Sequence, residues 1–229
     1  LLNCAVVSNT AYYYGGGIYM EAGVVSNCLI QSNRAANTYH GGGIYMTNGL
    51  VRNSRILDNY AANYGGGIYF YYGGTADTCI ISRNQALNYG GGFFSYASAG
   101  ANVSLLRNCL IDGNSAQTWQ GGGGYFNEGG VMQNCTVVRN FSKHYGGGIY
   151  RWTYYSYDVA ARIENSILAY NFTNLVSGAV EPTNNIYSSY FAGIMPHTNG
   201  IYYSCAAEFS PITNNNYNVT PQFVNAGSG

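Results

Sequence analysis

A chain of 229 residues can bury one sizeable core. Only 8% of its residues are charged, nine basic against nine acidic. That leaves no electrostatic footprint for nucleic acid and no basic stripe for a membrane-surface helix. No apolar run reaches the ~20 residues of a membrane span, so no membrane insertion is expected.

The chain opens on LLNCAVV, inside a repeat and without a basic leader, as expected of a mature or trimmed piece of a longer product. A first column follows at once: Cys4, Cys28, Ser54, Cys79, Cys109, Cys135 and Ser166. Two residues after each stands an aliphatic (Val6, Ile30, Ile56, Ile81, Ile111, Val137, Leu168), and five after each an asparagine. These are Asn9, Asn33, Asn59, Asn84, Asn114, Asn140 and Asn171. Three residues before each stands another apolar residue, from Leu1 and Val25 to Ile163. The residue just before each is Asn except at Thr78.

Between these columns a glycine triplet begins at Gly15, Gly41, Gly65, Gly90, Gly121 and Gly146, at spacings of 26, 24, 25, 31 and 25. Ile-Tyr follows most triplets; Phe93-Phe94 and Gly124-Tyr125 are the variants. Insertions fall within 95–105 and 151–162 and leave the columns intact, as loops on a solenoid do.

The apolar segments are short, rich in Val and Ile, and alternate with period two, the strand signature. No segment has helical spacing over ten residues, and the LxxLxLxxN pattern of leucine-rich repeats is absent. Three short strands per repeat predict an all-β fold: a right-handed parallel β-helix of about 25-residue coils over 1–173. An irregular C-terminal segment, 174–229, is read as final coils that cap or dock.

Stacking then puts like on like. The asparagines form an amide ladder in a turn where Asn tolerates left-handed geometry, and the glycines make a tight corner. A phosphate cradle is the weaker reading of the triplets, since six copies at one period point to structure. The Cys column is expected to hold buried free thiols, because parallel side-chain vectors suit a disulfide poorly; Cys205 lies outside the repeat. Arg52, Asp77 and Arg107 alternate in sign on consecutive rungs, as do Asp58 and Arg83, which predicts exposed ion pairs worth at most ~1 kcal/mol each. His40, His144 and His197 do not group with cysteines, so neither a metal nor another cofactor is expected.

Tyr19, Tyr45, Tyr69, Phe94, Tyr125 and Tyr150 form an aromatic column after the corner, with Tyr14, Tyr64, Tyr89 and Tyr145 before it. Packing between rungs is the plainer reading of the first column. The functional one is a binding face for glycans or another protomer.

Written out in this way, the repeat resembles the GGAI and FxxN repeats of chlamydial polymorphic outer-membrane proteins. GGAI reads as GGGI at 15–18, 41–44, 65–68 and 146–149. FxxN reads as Val6 with Asn9, Ile30 with Asn33, Ile56 with Asn59, and on to Leu168 with Asn171. The likeness covers about 1–173, with Gly for Ala and aliphatics for Phe. It implies a β-helical, adhesive passenger region at a bacterial surface. A looser likeness is to the pectate-lyase-like β-helix proteins, with YSC at 203–205 and PQFVN at 221–225 resembling the end of such helices.

The function expected is a non-enzymatic, extracellular or cell-surface protein of bacterial type, structural or adhesive, whose coils associate end to end as in a filament subunit. The alternative is a carbohydrate-binding or polysaccharide-degrading protein. An enzyme of that kind needs clustered carboxylates, and the acidic residues are scattered; Glu128 with Asp158, near Arg151, is the best candidate pair. An ice-binding face would want a threonine column, and none exists.

Overall fold

The computed structural model describes residues 1–97, 103–153, 161–174, 185–190, 193–194 and 201–202. Most of the expected irregular segment, with Glu181, His197, Cys205 and Glu208, lies outside them, as does Asp158.

The described strands form four parallel sheets wound as a solenoid. The first sheet has seven strands, from Ala5–Val7 to Ile167–Ala169. The second has seven two-residue strands, from Thr10–Ala11 to Phe172–Thr173. The third runs from Ile18–Met20 through Ile149–Thr153 to Ile186–Tyr190, and Gly193–Ile194 adds to its edge antiparallel. The fourth runs from Val24–Ser26 to Arg162–Glu164, with Ile201–Tyr202 beyond. Each coil therefore has four strands, not three. The extra strand is two residues long, too short for alternation to reveal.

Register carries each sequence column into a physical one. Val6, Ile30, Ile56, Ile81, Ile111, Val137 and Leu168 stack in the first sheet. Val25, Val51, Ala76, Leu106, Met132 and Ile163 stack in the fourth, all at most 2% exposed. Together with Ile44, Ile68, Phe70, Phe93 and Phe126 they make one continuous core.

The amide ladder is continuous. In each coil the backbone N and Nδ2 of one Asn both donate to Oδ1 of the next, at 2.9 and 3.0 Å for Asn33 to Asn59 and 2.8 and 2.9 Å for Asn114 to Asn140. The second Nδ2 hydrogen reaches a core-strand carbonyl, as from Asn84 to Ile56 at 2.8 Å. Both lone pairs and both hydrogens of an interior amide are thus used, which removes the cost of burying it.

The left-handed backbone lies elsewhere than expected. It falls on the residue before each ladder asparagine, as at Ser32 (φ 55°), Asp58 (56°), Arg83 (54°) and Arg139 (56°). That residue makes the turn, which lets the asparagine after it point inward. The asparagines before the Cys column do adopt φ near +50°, among them Asn27 (53°) and Asn134 (52°), and so does Asn37 (54°).

The glycine corner has three separate causes. The first glycine is left-handed, at φ 65–74° in all six copies. A β-carbon on the second would strike the backbone of the next coil, and one on the third would strike both that coil's backbone and its ladder asparagine.

The five described cysteines of the column are free; Cys28, Cys79, Cys109 and Cys135 are buried, and Cys4, in the first coil, is exposed. Each side chain donates to the carbonyl two residues earlier, at 3.2 Å from Cys28, 2.7 Å from Ser54, 3.1 Å from Cys109 and 2.8 Å from Ser166. Serine can replace cysteine because the position asks only for a small donor.

On the surface, Arg83 pairs with Asp58 (2.7 Å), Arg107 with Asp77 (2.9 Å) and Arg139 with Asp112 (2.8 Å). Arg52 does not join Asp77; its Nε turns to Ser26 Oγ at 3.3 Å. Asp77 is taken instead by Arg107 and by Asn108 Nδ2 at 3.0 Å.

Candidate functional site: an aromatic face with a groove

Outward residues of the third sheet, and those preceding the glycine corner, form three parallel columns along the axis. The central column is a continuous stack of Tyr19, Tyr45, Tyr69, Phe94, Tyr125, Tyr150 and Tyr187. Ring centroids lie 4.9–5.5 Å apart and ring planes within 22° of parallel. The coil rise imposes that spacing, and offset stacking of rings is favourable there.

The rings of this column pack between rungs, the plainer reading of the sequence. Tyr45, Tyr69, Phe94 and Tyr150 are only 4–7% exposed, whereas Tyr19 is 53% exposed. Their ring faces are occupied by one another and their outer edges by the flanking columns. Tyr45, Tyr69 and Phe94, with Tyr125 packed against them, form a second apolar cluster outside the solenoid. Burial raises the Tyr45, Tyr69 and Tyr125 phenols well above the usual tyrosine range.

What opens to solvent lies between the flanks. A groove of about 310 Å³ has Tyr69, Phe94 and Tyr125 as its floor. Tyr64 and Tyr89 line one side; Tyr96, Asn127 and Trp152 line the other. Tyr96, Asn127 and Trp152 come from three successive strands in register. The far flank was not legible in the sequence, because its residues (Tyr71, Tyr96, Asn127, Trp152) differ in type from coil to coil.

His40 takes a tyrosine's place in the near flank. Its ring lies parallel to Tyr64 at 4.6 Å and close to parallel to Tyr69 at 4.8 Å. Its buried Nδ1 has no hydrogen-bond partner, and burial pushes its pKa down to about 4. Among the described residues no group of three or more His, Cys, Asp or Glu could hold a metal ion.

Of the candidate catalytic pair, Asp158 lies outside the described residues. Glu128 is 7% exposed, adopts φ 77° and accepts a hydrogen bond from Thr153 Oγ1 at 3.2 Å. Arg151 is fully buried in the core column above Phe126, and its Nη1 donates to Ala161 O at 2.8 Å. Burial pushes its pKa down to about 10. Neither residue lines the groove.

Fold and site together define a parallel β-solenoid with a stacked aromatic outer face. Residues 2–125, more than half the chain, match the family described as a right handed beta helix region, and the chain belongs to that family. Neither a curated protein nor a solved structure matches it.

Proposed function

We propose that this chain is a non-enzymatic, extracellular adhesive β-helix of bacterial-surface type, and that its aromatic groove holds a neutral glycan. The observation carrying this reading is the groove's lining: seven aromatic side chains and Asn127, with no Lys, Arg, Asp or Glu. Aromatic rings suit the C–H faces of sugars, and phenol hydroxyls and a carboxamide suit their hydroxyls. Absence of charge at the groove disfavours acidic polysaccharides.

The non-enzymatic part is supported by how four of the described acidic side chains are used. Asp58, Asp77 and Asp112 hold arginines on other faces, and Glu128 is buried with Thr153. The adhesive part follows from the likeness of the repeats to those of the chlamydial surface proteins.

End-to-end association is the second reading. Every column stacks like on like, so a coil offers its neighbour the surface that it receives, a heterologous contact that can propagate.

A glycan array probed with the purified chain, followed by titration of tryptophan fluorescence, tests the first reading. Neutral oligosaccharides are expected as hits, with binding weakened at least tenfold by Tyr89→Ala or Trp152→Ala. An empty array, or hits indifferent to both changes, removes it. Negative-stain electron microscopy of the same preparation tests the second: uniform fibres support end-to-end stacking and discrete short rods oppose it.

A further inference from the structure

Tyr71, Tyr72 and Tyr96 form a half-exposed trio at the groove's outer edge, with Tyr71 and Tyr96 in its far flank. Tyr71 and Tyr96 are register partners on consecutive strands. Tyr72 N donates to Tyr96 O at 2.8 Å, which fixes the two backbones side by side. Tyr72 stands at φ 63°, a costly conformation for an aromatic residue, in which its ring packs on both others. The Tyr71 and Tyr72 rings are 4.3 Å apart. Those of Tyr72 and Tyr96 are 5.2 Å apart at 69°, edge to face. The Tyr72 side chain beside it raises the Tyr71 phenol.

We propose that Tyr72 and Tyr96 are a site of oxidative cross-linking, joined ring to ring by a haem peroxidase acting with hydrogen peroxide. Each phenol gives up one electron and one proton, and the peroxide takes both pairs to become two waters. The two phenoxyl radicals couple through a new carbon–carbon bond between ortho positions. The hydrogens on those carbons then shift to the oxygens and restore both aromatic rings. The edge-to-face contact brings the rim of one ring against the other. The parallel rings of the central stack hold corresponding atoms apart, and Tyr45 and Tyr69 are also hidden from an oxidant. The product is a covalent staple between adjacent coils at the groove wall. It depends on no bound glycan and stands whether or not the groove binds one.

The test treats the full chain with hydrogen peroxide and a haem peroxidase and maps the digested product by mass spectrometry. The expected result is a peptide pair joined at Tyr72 and Tyr96, lighter than its parts by two hydrogen atoms, in a chain that still migrates as a monomer. Tyr72→Phe and Tyr96→Phe keep the ring packing and must lose this linked pair; Tyr71→Phe must retain it. The proposal is overturned if the native chain yields no such pair, if the link maps to Tyr71, or if it forms only after unfolding.

Discussion

The ring of Phe93 fills the space that Gly124 leaves by having no β-carbon. The two are register partners in the third sheet, in a column otherwise made of Ile18, Ile44, Ile68, Ile149 and Ile186. A β-carbon at Gly124 would overlap the Phe93 ring. The two departures from the Gly-Gly-Gly-Ile repeat are therefore one compensated change, large in one coil and small in the next.

Gly124→Ile alone should overpack the core and cost about 1–3 kcal/mol. Phe93→Ile alone should leave a cavity and cost about 1–2 kcal/mol. The double variant restores the consensus column and should recover most of both losses, because contacting residues are not additive. Chemical denaturation of all four proteins measures the coupling, and simple additivity would refute the compensation.

Asn84→Ala should be among the most damaging single changes. It removes the acceptor for Asn59 N (3.0 Å) and Asn59 Nδ2 (2.9 Å), and it takes the Nδ2 donor from Asn114 Oδ1 and from Ile56 O, leaving Asn114 Oδ1 only the backbone N of residue 84. Unsatisfied buried groups cost about 1–3 kcal/mol each, so a loss of at least about 3 kcal/mol is expected. A replacement at the exposed Asn9 should cost much less. Equal losses at the two positions, read from denaturant midpoints, would show that ladder continuity is not what stabilises.

His40 should make the fold acid-sensitive. Its folded pKa is about 4, against about 6.5 in an unfolded chain. Between those values the unfolded chain binds the extra proton, so stability falls as pH drops from about 6.5 towards 4, by about 2–3 kcal/mol. The charged and titratable side chains against it are Tyr14, Tyr64 and Tyr69, with no carboxylate among them. His40→Tyr, the residue type of the adjacent rungs, should flatten the stability profile across that window. An unchanged slope would place the acid response elsewhere.

The top of the ladder illustrates what spacing cannot reveal. Asn185 follows Asn171 by far less than one coil, yet its Oδ1 accepts Asn171 Nδ2 at 2.8 Å and Asn171 N at 3.2 Å. Its backbone carbonyl meanwhile accepts Ile149 N at 2.8 Å, the place the third glycine of a triplet takes in earlier coils. An asparagine at the glycine corner thus supplies the amide that a further coil would have brought. A search at a fixed offset of five residues from a Cys or Ser misses it.

The sequence by itself determined the solenoid, the inward columns and the amide ladder. Their reason is periodic: in-register parallel coils turn each spacing into a stack, so identity along the chain becomes contact in space. Tertiary structure decided what depends on neighbours in other columns. Arg52 turned to Ser26 once Arg107 and Asn108 had saturated Asp77. Rings that looked like a binding face became a buried stack, because flanking aromatics cover the edges that remain after the faces pack together. The groove arises where one flank changes from Tyr71 and Tyr96 to Asn127 and Trp152, a variation that no single repeat announces.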